Sequence, residues 1–86
     1  MSQHAEIEAF VKKLLGEKIE KSGKTIAITD DLNFIQSGLM DSVGFLDLLG
    51  AVEDEFDIEV DFDDKDPEEF LNLKGFLKSI YQATEQ

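Results

Sequence analysis

The chain has 86 residues, with twenty acidic residues, eight lysines, no arginine and no cysteine, for a formal net charge of −12. A chain this short buries only about 60–65% of its unfolded surface, which predicts one domain over residues 1–86 with a thin core and argues against a deep, enclosed active site. Disulfides and thiolate zinc sites are excluded, nucleic acid and anionic membrane share the chain's sign and make poor partners, and the apolar runs are too short to cross a bilayer.

The first element is a helix from about Gln3 to Glu20, with Ile7, Phe10, Val11, Leu14 and Ile19 as its apolar stripe. Ser2 is its candidate cap, and Ser22-Gly23 is its stop, with Gly23 free to turn left-handed. The N-terminus, Met1 to Glu6, lacks the basic-then-apolar order of a secretory signal, so the expected compartment is the cytoplasm. Its His4, the one histidine, is expected to be solvated.

Residues 24–41 show no helical period. Thr25-Ile26-Ala27-Ile28-Thr29 has β character but no second strand to pair with, so the segment reads as a long irregular connection pinned by Ile26, Ile28, Leu32, Ile35 and Leu39. A second helix runs from about Ser42 to Phe56, with Phe45, Leu48, Leu49, Val52 and Phe56 on its core side. At about 100° per residue, Val43, Asp47, Gly50 and Asp54 share an outward side. Gly44 and Gly50 each cost this helix about 1 kcal/mol relative to alanine.

An extended link, Ile58-Glu59-Val60, leads to Asp66-Pro67-Glu68-Glu69, which spells a helix start with a cap, a proline at the first position and a glutamate placed for a capping box. That helix is brief, to about Leu71. Asn72 then caps a last helix in which Leu73, Phe76, Leu77 and Ile80 recur at i, i+3, i+4 and i+7. The predicted fold is all-α: a small four-helix bundle, three main helices and one short one, with a long loop between the first two.

The charge is not spread evenly. From Asp41 to Glu69 there are thirteen acids and one lysine, Lys65, whereas the rest of the chain holds seven acids and seven lysines. An acidic stretch of this kind fits a basic patch on a partner protein.

One segment carries chemical information. In Gly38-Leu39-Met40-Asp41-Ser42-Val43, a turn-permitting glycine precedes an Asp-Ser pair at the start of the second helix. Either Asp41 or Ser42 can cap that helix, and a phosphate esterified to Ser42 would lie near the free N–H groups and positive end of the helix. Ser42 is a poor nucleophile for catalysis: the chain's one histidine is far off in sequence, and Met40 stands where a nucleophile elbow needs glycine. Asp61-Phe62-Asp63-Asp64-Lys65-Asp66 begins like a calcium loop, then fails with Lys65, Asp66 and Asn72 at its fifth, sixth and twelfth positions. No specific metal site is expected.

The same segment, with Phe45-Leu46-Asp47-Leu48-Leu49 and Val52-Glu53-Asp54-Glu55-Phe56-Asp57-Ile58-Glu59-Val60, resembles the acyl carrier protein family. The likeness covers about residues 5–82 in layout and is specific from about 32 to 62. It implies a non-catalytic carrier with 4′-phosphopantetheine bound covalently to Ser42, placed there from coenzyme A by a phosphopantetheinyl transferase. Asp41 matches the aspartate that helps engage the transferase and its magnesium. Val43, Asp47, Gly50, Glu53 and Asp54 match the partner-facing positions, and the implied partners are acyl-loading and acyl-transferring enzymes with basic patches, visited by a monomeric carrier. Val43 replaces the usual leucine, Gly50 stands where a methionine is common, and two residues rather than one separate Gly38 from Asp41, as in stand-alone and D-alanyl carriers. An unmodified acidic adaptor, with Ser42 only capping a helix, is the competing expectation.

Overall fold

Four helices form in the expected order: α1 (Gln3–Ser22), α2 (Ser42–Phe56), α3 (Pro67–Phe70) and α4 (Leu73–Thr84), with the long connection between α1 and α2. A computed structural model describes residues 3–62 and 65–85; Ser2, the expected first cap, lies outside that range. The fold is all-α, and among the described residues no strand forms.

Helix α1 runs two residues past its expected end because Ser22 closes the last turn itself. Its Oγ donates to the Ile19 carbonyl at 2.7 Å and accepts from the Lys24 N–H at 3.1 Å. Gly23 then turns the chain with φ +72°. The fully buried row of α1 is Ile7, Val11 and Leu15, while Phe10, Leu14 and Ile19 flank it half-buried. The stripe is therefore rotated from the expected one, with Leu15 in its buried row in place of Leu14.

The β character of Thr25–Thr29 finds no partner. Pairing occurs a few residues later, where Asn33 forms an isolated antiparallel bridge with Asn72. The Phe34 N–H donates to the Leu71 carbonyl at 2.8 Å, Leu73 N–H to Leu32 at 3.0 Å and Lys74 N–H to Asp30 at 2.9 Å. These bonds fasten the loop across the α3–α4 junction and sink Leu32, Phe34 and Leu39 into the core. Ile26, Ile28 and Ile35 pack against that core half-buried, and Phe34, fully buried, is the loop residue that matters most.

Phe34 belongs to an aromatic cluster with Phe45 at its middle. It meets Phe76 edge-on at 5.5 Å and Phe45 at 6.2 Å, and Phe45 in turn meets Phe76 at 5.5 Å, Phe70 at 5.7 Å and Phe62 at 6.0 Å. Ring pairs at such separations add about 0.5–1.5 kcal/mol each beyond their buried area. In a thin bundle this cluster joins the loop, α2, α3 and α4.

At the α3 start, the Glu69 carboxylate accepts from the Asp66 N–H at 2.9 Å, the returning half of a capping box. The helix stops at Phe70, with Leu71 as its C-cap. Asn72 Oδ1 accepts from the Gly75 N–H at 2.7 Å and starts α4, whose Leu73, Phe76, Leu77 and Ile80 are all buried as their spacing requires. Lys65, the one cation of the acidic stretch, donates to Ser79 Oγ at 3.1 Å and Gln82 Oε1 at 2.9 Å, so the α2–α3 connection is tied to α4. His4 is not simply solvated: its ring stacks on Tyr81 at 4.1 Å and its Nε2 lies 3.8 Å from a Glu85 oxygen, linking the two ends of the chain.

Candidate functional site

The turn before α2 is held from both sides. Asn33 Oδ1 accepts from the N–H groups of Ile35 (3.0 Å) and Gln36 (2.8 Å), and the Met40 N–H donates to the Phe34 carbonyl at 3.1 Å. From the other side Lys24 Nζ donates to the Gly38 carbonyl at 3.2 Å. Gly38 has φ +78°, a backbone conformation that favours glycine; a Cβ there would stand 2.7 Å from that Nζ, which can move aside on its flexible chain. The segment leading into the Asp-Ser pair is thus referenced to a buried phenylalanine.

Asp41 and Ser42 divide the roles that the sequence left open. Asp41 is the N-cap: its backbone is extended, its Oδ1 accepts from the Gly44 N–H at 2.8 Å, and its carbonyl accepts from Phe45 N–H at 2.9 Å. A Cβ at Gly44 would stand 3.0 Å from Met40 Cβ, tighter than ordinary contact. Ser42 is the first helical residue and is exposed. Its hydroxyl has no hydrogen-bond partner among the described residues. It stands at the end of α2 where backbone N–H groups point outward and the helix dipole favours negative charge.

The outward side of α2 differs in detail from its expected form. Val43, Asp47 and Asp54 are exposed; Gly50 and Glu53 are half-buried. Glu53 turns back on the fold, with Oε2 accepting from the Val60 N–H at 2.8 Å. It holds the 58–60 link after Asp57, which ends α2 in the left-handed region at φ 52°. Glu53, Asp54, Asp57, Ile58 and Glu59 line an open, acidic hollow of about 400 Å³. The reading of the sequence passed over Leu46, which is 63% exposed beside Val43 at 66%. The available signal was a large apolar residue lying off the core stripe, one turn after Val43.

A larger open groove of about 570 Å³ runs between α3 and α4, lined by Lys65, Lys74, Lys78 and polar neighbours, and Ser42 is not part of it. Among the described residues no group of His, Cys, Asp or Glu is placed to hold a metal ion; Asp63 and Asp64 of the calcium-loop-like stretch lie outside them. No described helix is long and apolar enough to cross a membrane.

The start of α2 thus presents an exposed serine hydroxyl without a hydrogen-bond partner among the described residues, at a capped helix end with an acidic outer side. The family described as the phosphopantetheine attachment site matches residues 7–65, a span that includes α2 and the turn before it. The chain belongs to that family, whose members attach 4′-phosphopantetheine as their prosthetic group and are in general non-catalytic. No solved structure matches the chain. The residues present fit such a group: its phosphodiester needs a serine hydroxyl free of internal bonds and tolerant of added negative charge, and the first turn of α2 offers both.

Proposed function

We propose that this chain is an acyl carrier protein that bears 4′-phosphopantetheine on Ser42 and presents acyl units to successive enzymes. The observation that carries this reading is the division of labour at the start of α2. Asp41 already caps the helix, so Ser42 is not needed as a cap and its exposed hydroxyl has no structural duty among the described residues. In the transfer, a bond forms between Ser42 Oγ and the phosphorus that bears the pantetheine arm. The bond from that phosphorus to the remainder of coenzyme A breaks, and the serine proton leaves to a base of the transferase. When bound, the arm supplies a thiol on which acyl groups are held as thioesters, a function for which the cysteine-free chain has no side chain of its own.

Asp41 serves this reading twice. One carboxylate oxygen fixes the helix start, and the other is left to face the transferase and its magnesium. Val43, Asp47, Gly50, Glu53 and Asp54 form the partner side, on which charge gives fast, salt-sensitive and easily reversed encounters with basic enzyme surfaces. Residues 1–86 act as one carrier domain, monomeric and cytoplasmic, serving fatty-acid, polyketide or related biosynthesis. An aminoacyl carrier of the D-alanyl type is the second reading, favoured by the two residues between Gly38 and Asp41.

The test is intact mass after incubation with coenzyme A, magnesium and a broad-specificity phosphopantetheinyl transferase. One added phosphopantetheine, absent in Ser42→Ala, is expected. A folded protein left unchanged by a transferase that is active on a control carrier would instead favour the unmodified acidic adaptor.

A further inference from the structure

Lysine is scarce in this chain, eight residues against twenty acids, yet Lys65, Lys74 and Lys78 line the same groove, the one of about 570 Å³ between α3 and α4. Of the four helices, α4 alone has no acidic residue, so its exposed charge is wholly positive. The ion pairs among the described residues join Lys12 to Glu8 and His4 to Glu85, and neither neutralises a lysine of the groove. Glu69, in the groove wall, is engaged elsewhere, accepting from the Asp66 N–H in the α3 capping box.

The fold does not use the charges of Lys74 and Lys78. Lys74 is tied to the loop by its backbone N–H, which donates to the Asp30 carbonyl, and its exposed side chain is left over. Lys78 lies one turn on, at i+4, and is equally exposed. Like charges at that spacing weakly destabilise a helix, and no described carboxylate pairs with either lysine to offset it. Lys65 is fixed in place: its ammonium donates to Ser79 Oγ and Gln82 Oε1, and the buried Ser79 is itself anchored by donating to the Gly75 carbonyl. An ammonium has three N–H donors, so one is left for the groove.

We propose that this groove binds an extended acidic segment of a partner protein, with carboxylates on Lys74, on Lys78 and on the third N–H of Lys65. The spacing fits: Cβ atoms at i and i+4 of a helix are about 5–6 Å apart, and alternate side chains of an extended chain leave on the same side about 6–7 Å apart. The groove is open rather than enclosed, which suits a chain passing through it. Glu68 and Glu69 in its wall repel the close-set charges of a polyphosphate but can accept from peptide N–H groups. A second copy of this chain would bring acids to the groove, but also the repulsion of −12 against −12. Ser42 is no part of the groove, so the proposal stands apart from the carrier reading and holds with or without a prosthetic arm.

The experiment titrates the isotope-labelled, unmodified full chain with the peptide acetyl-Glu-Gly-Glu-Gly-Glu-amide and follows the backbone amide signals by NMR. The matching glutamine peptide and inorganic phosphate are the comparisons, all at one pH and ionic strength. Saturable shifts centred on residues 65–82 are expected, with a midpoint of about 1 mM, the strength of a few exposed ion pairs. The double variant Lys74→Gln, Lys78→Gln is expected to weaken binding about tenfold while melting no lower than wild type, because glutamine matches lysine as a helix former and the like-charge pair is gone. The double variant Lys13→Gln, Lys21→Gln, which removes two exposed lysines of α1, is expected to leave the midpoint unchanged. Absent shifts, shifts spread equally over α1, an unchanged midpoint in the α4 variant, or a glutamine peptide that binds as well overturns the proposal. Phosphate saturating the same signals at lower concentration than the peptide also overturns it, by making the groove a small-anion site. So does a wild type that sediments as a dimer while the α4 variant does not, which would make a second copy the occupant.

Discussion

Replacing Gly75 by alanine should unfold this protein more readily, although alanine is the better helix former. Gly75 is in the first turn of α4, and a Cβ built on it would overlap the carbonyl carbon and oxygen of Glu69, in α3, and come within 3.1 Å of the capping Asn72 Oδ1. Helix propensity favours the change by about 1 kcal/mol. Forcing a methyl against backbone costs about 3 kcal/mol, the upper end for overpacking, because a carbonyl cannot rotate aside as a side chain can. Moving Gly75 away also strains the bond from its N–H to Asn72, a cap contact of about 1 kcal/mol. The net is a loss of about 3 kcal/mol, or about 12 °C or more in Tm for a domain of this size. Gly50→Ala is the control. Nothing lies within 4 Å of its Cβ position, so the same chemical change there should stabilise by up to about 1 kcal/mol. Urea and thermal unfolding followed by far-ultraviolet circular dichroism measure both. Shifts of the same sign in the two variants, or a Gly75→Ala as stable as wild type, would refute the steric reasoning.

The cap and the one tyrosine give two further tests. Asp41→Ala should lose about 1 kcal/mol in urea unfolding, whereas Asp41→Asn, which keeps an acceptor for the Gly44 N–H, should lose much less; equal losses would mean that the bond contributes nothing. Burial, and then the negative charge of Glu8, raise the Tyr81 pKa above its ordinary 10.0. The folded state therefore prefers the neutral phenol, so the stability it contributes is whole below about pH 10 and is lost as pH rises from there through the folded-state value. Since the chain has one tyrosine, phenolate absorbance reports this group alone; a midpoint at or below 10.0 in the folded protein would contradict the assignment. Tyr81→Phe should melt with a shallower decline than wild type in that range.

The parts of the fold legible in sequence were those where one pattern had no rival. Helix α4 has a single apolar row and an asparagine directly before it, and both took their expected places. Helix α1 offered two adjacent rows, because Phe10-Val11 and Leu14-Leu15 put apolar residues side by side. Only packing against the other helices decides between rows, and it chose Leu15. Phe34 lies in a segment without period, and its burial depends on backbone pairing with residues some forty positions away, for which no local signal exists. At the site, the Asp-Ser pair was readable but the assignment of the cap was not, since either side chain reaches the helix N–H groups until the backbone of the turn is fixed. Glu53 looked like one more surface acid. Its bond to Val60 requires Asp57 to adopt a left-handed conformation that sequence patterns do not announce.

An exposed serine in a flexible loop could accept a prosthetic arm, but it would present that arm in no fixed direction. Here the exposure is local and the positioning is not. The start of α2 follows from the Met40 N–H bonded to Phe34; Phe34 is placed by its own N–H on Leu71 and by Phe45 and Phe76; and Phe76 stands one turn into α4, whose start Asn72 and Gly75 define. Ser42 is thereby oriented through α4 while its own hydroxyl makes no hydrogen bond among the described residues. The same arrangement explains why a thin core suffices. The aromatic cluster concentrates packing behind the start of α2 and so anchors a helix whose acidic outer side would otherwise weaken it by mutual repulsion.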